Sequence, residues 1–90
     1  MLSTLENLIK LARERKSVPV EGSYTNKLLT DKALSKAKVL EEVDELIEAI
    51  EKDTNKIHEA ADVIYHLMVY LEANNIKIED VMNELKKRQK

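Results

Sequence analysis

The sequence predicts an all-α fold: an antiparallel helical bundle of four main helices, completed by dimerisation. Three observations predict it. Leu, Ile, Ala, Glu and Lys dominate the 90 residues, while Gly and Pro occur once each, a composition that sustains helix with few interruptions. Apolar residues recur at three- and four-residue steps, as one buried helix face requires. Finally, a chain this short buries only about 60–65% of its unfolded surface. It has no cysteine for a disulfide or thiolate metal site, so a second copy of the chain is the expected source of the missing core.

The first helix is expected from near Ser3, three residues before Glu6 in a capping-box arrangement, with Leu5, Leu8, Ile9 and Ala12 on its buried face. "KSVPVEGSYT" ends it, because Pro19 cannot continue a helix and Gly22 admits unusual backbone angles. Thr25 is the expected cap of a short turn through "NKLL". A long helix follows from about Asp31 to Lys52, with Leu40, Val43, Ile47 and Ile50 on one face. Thr54 is the expected cap of a third helix, which ends near Asn74 and Asn75, where Asn tolerates the left-handed position. The last helix runs from about Ile78 to Arg88, with Val81, Met82 and Leu85 inward. Its acidic start (Glu79, Asp80) and basic end (Lys86, Lys87, Arg88) complement the helix dipole. Short connections make neighbouring helices antiparallel, and residues 1–90 read as one domain.

Charged residues make up 36% of the chain but nearly cancel to a net charge of −2, which argues against a nucleic-acid partner. No run of about 18 apolar residues exists to cross a bilayer. The N-terminus lacks the basic, then apolar, then small-residue pattern of an export signal. The expectation is a cytoplasmic protein with no membrane partner.

Chemistry enters with the two central helices. On a helical wheel Ile57, Ala60, Ala61, Ile64, Leu67, Met68 and Leu71 form a broad apolar face. Glu59, Asp62 and His66 cluster opposite, yet Val63, Tyr65, Val69 and Tyr70 surround them. An ordinary surface helix has a continuous polar back; this polar island in an apolar sea implies that both faces are covered. The preceding helix offers "EEVDE", in which Glu42 and Glu45 are three apart and Glu41 and Glu45 four apart, hence neighbours, with Lys38 on the same shoulder. Each central helix therefore presents an acid-x-x-acid pair, Glu42/Glu45 and Glu59/Asp62. Four converging carboxylates repel one another unless a cation neutralises them. Oxygen ligands with no Cys and one nearby His favour Mg²⁺ or Mn²⁺ over zinc, and Mg²⁺ commonly completes its shell with substrate phosphates. The residues point to a divalent-cation site that holds a polyphosphate. The competing reading of "EEVDELIEAIEKD" is a solvated acidic face, and Glu48, Glu51 and Asp53 fit that reading.

With those positions in hand, the chain resembles the all-α nucleotide pyrophosphohydrolases, whose signature is Glu-Glu-x-x-Glu followed one helix later by Glu-x-x-Asp. Here it reads "EEVDE" at 41–45 and "EAAD" at 59–62. Three further stretches look like the phosphoribosyl-ATP pyrophosphohydrolase family of histidine biosynthesis: "RKSVPVEGSYTNKLL" at 15–29, "ADVIYHLMVYL" at 61–71 and "IKIEDVMNELKKR" at 76–88. The resemblance implies Mg²⁺-dependent hydrolysis of phosphoribosyl-ATP to phosphoribosyl-AMP and pyrophosphate. By the same resemblance Glu42, Glu45, Glu59 and Asp62 match metal ligands. Glu41 matches a partner of the ligands or a water-orienting base, and Lys38 matches a position that faces substrate, where it and Lys27 would stabilise charge on the phosphate oxygens. Lys27 and His66 match positions that face substrate, while Arg15, Lys16, Ser23, Tyr24 and Thr25 match the segment that closes over it. Two departures stand out: Leu40 and the "TDKAL" stretch occupy places where the family commonly has Gly.

Rival readings remain open at this level. "LEEVDELIEAI" reads almost as well as the MazG-type relatives that hydrolyse nucleoside triphosphates, and a non-catalytic helical dimer with an acidic seam is the third reading. His66 can be a satisfied core or interface histidine, Tyr24 a packing residue, and Lys38 a mere i,i+4 partner of Glu42. Arg15 and Lys16 can be helix C-terminal charges. Tyr65 and Tyr70 read as packing, and His58 as surface.

Overall fold

The computed structural model describes residues 2–89, which form five helices: α1 (Ser3–Ser17), α2 (Tyr24–Thr30), α3 (Lys32–Lys52), α4 (Lys56–Ala73) and α5 (Ile78–Arg88). The four main helices stand where the periodicity places them, and the expected turn at "NKLL" is a full short helix. α4 is the central element: it packs along α3 and also meets α1, α2 and α5. No helix among the described residues is long and apolar enough to cross a membrane.

The helix ends correct three expected caps. α1 begins after Leu2 with no side-chain cap, so Ser3 lies inside the first turn and no capping box forms with Glu6. Ser23 rather than Thr25 caps α2, its hydroxyl accepting from the Asn26 N–H at 3.3 Å. Thr54 caps nothing with its side chain; instead its backbone N–H closes the end of α3 on the Ala49 carbonyl at 2.9 Å, and Asn55 precedes α4. Asp53 and Asn55, both left-handed (φ 56° and 44°), turn the chain between the two long helices; short polar side chains tolerate that conformation. Asn75 at φ 59° fulfils the expected left-handed stop of α4, and Gly22 at φ 80° supplies the reversal before α2. Asp31 serves two helices: its N–H bonds the Lys27 carbonyl as α2 ends, and its carboxylate receives the Leu34 N–H as α3 begins.

The core lies between α2 and the second half of α4, where Leu28, Leu29, Val69 and Ala73 are buried and Leu34 and Tyr65 pack against them. Ala12 joins from α1 and Ala49 from α3. The face expected to be buried on α3 and α4 is not covered. Leu40, Val43, Ile47 and Ile50 are exposed, as are Ile57, Ile64 and Leu67, with Leu40 at 61% and Ile57 at 87%. Met82 and Leu85 of α5 are likewise exposed and α5 buries no residue. The physical reason is that α4 is apolar on both sides. α1 and α2 cover the side bearing His66 and Val69, and no described element remains for the other.

Candidate active site

α3 and α4 run side by side, and the three-residue spacing turns both acid pairs into their shared seam. Carboxylate oxygens of Glu41, Glu42 and Glu45 come within 4.8 Å of one another, as do ligand atoms of His58, Glu59 and Asp62. Glu45 lies between the helices, close enough to act on both Glu42 and Glu59. Glu42 is only 8% exposed. Burial pushes its carboxyl above the ordinary range, and the neighbouring Glu45 and Asp62 push it further, while His66 pulls the other way. Glu59 is raised for the same reasons: desolvation first, then Glu45 and Asp62. One oxygen of each, Oε2 of Glu42 and Oε2 of Glu59, is buried with no hydrogen-bond partner among the described residues.

An unpaired buried carboxylate oxygen costs several kcal/mol by order of magnitude, about 1–3 even for a neutral group. Native structures rarely leave such atoms without water, ion or ligand. Four carboxylates, their mutual repulsion and two orphaned oxygens fit a hard divalent cation at Glu42, Glu45, Glu59 and Asp62. The exposed His58 lies beside Asp62, Nε2 to Oδ2 at 3.4 Å.

The flanks are set by α2. His66 is buried at 6% exposure. Its Nδ1 lies 2.8 Å from the Asp62 carbonyl oxygen, which can only accept, so Nδ1 carries the proton. In the neutral ring Nε2 is then the acceptor, and the Tyr24 hydroxyl donates to it at 3.0 Å. One residue on, the buried Thr25 hydroxyl meets the Tyr65 hydroxyl at 2.6 Å. Burial raises the Tyr24 phenol above its usual value, with Lys38 opposing and Glu42 and Glu41 adding to the rise; Tyr24 therefore stands within the field of the acid cluster.

The other candidates divide. Lys38 pairs with Glu41 at 3.2 Å, not with Glu42, and the contact raises the lysine. Arg15 donates to the Ser23 hydroxyl at 2.8 Å, tying the end of α1 to the cap of α2. Lys27 is exposed on α2, beside a shallow hollow lined by Gly22, Ser23, Tyr24 and Asn26. Lys16 is not brought to the cluster. It binds the Glu72 carbonyl at 2.8 Å and Asn75 Oδ1, ten residues along α4 from Asp62, or about 15 Å at 1.5 Å per residue.

Comparison with known proteins meets this geometry. The phosphoribosyl-ATP pyrophosphohydrolase family matches residues 4–89. The chain belongs to that family. A phosphoribosyl-ATP pyrophosphatase of Clostridium acetobutylicum is 50% identical over 93 residues, covering 98% of this chain and 80% of that protein. A bifunctional histidine-biosynthesis protein of Pyrococcus furiosus is 44% identical over 92 residues, covering 99% of this chain and 43% of that protein. A chloroplastic bifunctional counterpart from Arabidopsis thaliana is 44% identical over 93 residues, covering 97% of this chain and 33% of that protein. The chain thus spans less than half the length of these two bifunctional relatives.

Two residues of this pyrophosphohydrolase-family chain escaped the sequence reading. Asn26 is buried and organises the loop before α2, accepting from the Val20 N–H at 2.8 Å and donating to the Arg15 carbonyl at 2.6 Å. Tyr65, read as packing, holds Thr25 as well as packing on the core. An Asn in the first turn of a helix and a Tyr beside His carry no local signal of such partners.

Proposed function

We propose that the chain hydrolyses phosphoribosyl-ATP to phosphoribosyl-AMP and pyrophosphate, using Mg²⁺ or Mn²⁺ held by Glu42, Glu45, Glu59 and Asp62. One observation carries the reading: in a chain of this family, two of the four clustered acids keep a buried oxygen with no hydrogen-bond partner among the described residues. When bound, the cation supplies charge neutralisation and Lewis-acid polarisation of the polyphosphate. The chain's own residues do the rest. The oxygen of a water molecule joins phosphorus at the α–β bridge, the bridging P–O bond breaks, and pyrophosphate leaves. Glu41, exposed at the edge of the cluster and oriented by Lys38, is placed to accept the water proton. Lys38 then stabilises charge gathering on the phosphate oxygens. Tyr24 and His66 form the wall facing the substrate, and Arg15, through Ser23, fixes the start of α2. Lys27 faces solvent from α2 and lines the same hollow as Tyr24.

A homodimer is part of the proposal, supported by the exposed apolar stripe of α3 and α4.

The test is pyrophosphate release in Mg²⁺, with phosphoribosyl-ATP compared against ATP and the other nucleoside triphosphates. Turnover confined to phosphoribosyl-ATP is the expected result. Comparable release from ordinary triphosphates moves the chain to the nucleotide-pool activity of MazG-type relatives. Silence on all of them sinks the hydrolase reading in favour of a non-catalytic dimer.

A further inference from the structure

The chain contains no Phe and no Trp, and only three Tyr. Two of the three meet beside His66 although one comes from α2 and the other from α4. The rings of Tyr24 and Tyr65 are stacked, with centroids 6.3 Å apart and planes at 16°. His66 stands edge-on to both, at 5.8 Å from Tyr24 and 5.0 Å from Tyr65. Tyr24 is thus held by its hydroxyl on His66, by the ring of Tyr65, and by the neighbouring bond from Thr25 to Tyr65. Despite three restraints it remains 45% exposed. A ring that packs the core is covered; a ring that is fixed and yet left in water presents a prepared apolar surface.

Its position says what that surface takes. The Tyr24 hydroxyl lies 3.0 Å from His66 Nε2, and His66 Nδ1 bonds the Asp62 carbonyl at 2.8 Å, so one histidine separates the ring from a member of the acid cluster. In a nucleotide the reacting α–β bridge is joined to the base through one phosphate and one ribose, so the base must lie one sugar away from the acids. We propose that Tyr24 is the stacking platform for the purine ring of the substrate, with Tyr65 and His66 as positioning residues that hold it rigid. This rests on the nucleotide reading above and deepens it, making ring area the basis of selection: a purine is favoured over a pyrimidine because it covers more of the tyrosine face.

The experiment is equilibrium titration of the full chain in Mg²⁺ with AMP, with UMP, and with tripolyphosphate as a base-free probe. The wild-type chain is expected to bind AMP several-fold more tightly than UMP. Tyr24→Leu is expected to weaken AMP about tenfold, the low end of one lost base–aromatic stack, and to leave tripolyphosphate unchanged. Tyr24→Phe, which keeps the ring and loses only the bond to His66, stays within about threefold for AMP. Tyr65→Leu repeats the base-dependent loss, which a merely structural role would spread over both ligands. Equal loss of AMP and tripolyphosphate in Tyr24→Leu, or AMP and UMP bound alike by the wild type, overturns the platform even where pyrophosphate release is robust. The wild-type comparison stands whether or not the Leu variant folds, and circular dichroism checks the latter. Base-dependent binding without any pyrophosphate release overturns the reaction and leaves the platform in place.

Discussion

At Glu42 the fold buries a carboxyl beside two others, and the physical consequences are measurable without substrate. Burial and the neighbouring acids hold Glu42 and Glu59 above the ordinary carboxylate range, whereas in the unfolded chain both titrate near about 4.3. The folded state therefore keeps protons that the unfolded chain has released. Stability from these groups is fully present below the unfolded value and is lost as pH rises through the folded values. In a chelator, the melting temperature of the wild-type chain should fall as pH rises from about 4.3 toward neutral through these two groups. Glu42→Gln, which makes the neutral form permanent, should melt several degrees higher than wild type at neutral pH and show a flatter profile. It should also lose most of the rise in melting temperature that Mg²⁺ gives the wild type. An unchanged Mg²⁺ response in the variant would remove Glu42 from the ligand set. Asp62→Ala should lower pyrophosphate release at least about a hundredfold, the scale on which even an outer-shell partner of a metal site is felt, with helix content intact. The acids were legible because a three-residue spacing fixes one helix face whatever the tertiary structure. Asn26 and Tyr65 were not, since their partners lie 11 and 40 residues away. The partners of Lys16 were not legible either, because the nearby sequence cannot reveal that Glu72 and Asn75 lie within its reach.

Among the elements, α5 is the one held least by packing. It buries no residue, and beside its packing on α4 a polar tie runs to Arg13 of α1. That guanidinium forms a two-pronged pair with Glu79, Nη1 to Oε2 at 2.8 Å and Nη2 to Oε1, while its Nε lies 3.5 Å from Glu72 of α4. One side chain thus joins three helices. Arg13 holds the Glu79 carboxyl down to about 2, so the pair's contribution is present above the unfolded value near about 4.3 and is lost as pH falls toward the folded one. Being exposed, it is also screened by salt. Arg13→Ala should speed amide hydrogen exchange in α5 several-fold while amides in the middle of α3 and α4 keep their protection. If exchange in α5 is unchanged, its anchor lies elsewhere. Helix positions were legible at this scale because Pro19, Gly22 and Asn75 interrupt a strong 3.6-residue period. The caps were not. Ser23 and Thr25 are equally good cap residues two positions apart, and the choice fell to Thr25 being buried against Tyr65.

For the whole molecule, the decisive fact is that α4 is apolar on two sides and one chain covers only one of them. Hydrophobic period reports which residues avoid water; it does not say what supplies the cover. That is why Leu40, Ile47 and Ile50 on α3 and Ile57 and Ile64 on α4 read as core in the sequence yet stand in solvent in a single chain. Isolated exposed apolar residues are ordinary, but repeated ones at helical spacing on two adjoining helices form a patch of the kind that marks an interface. A second identical chain is the simplest cover, since a two-fold axis lets the same stripe meet itself. A stable pair needs roughly 800 Å² from each partner, a demand that two helices of 21 and 18 residues can meet along their length. Light scattering should therefore give twice the chain mass at micromolar concentration. Ile47→Glu, which sets a charge in the middle of the stripe and touches none of the clustered acids, should shift that mass toward a monomer and lower the melting temperature in a concentration-dependent way. A wild-type chain that stays monomeric across the micromolar range would sink the dimer, and the apolar stripe would then require a different partner.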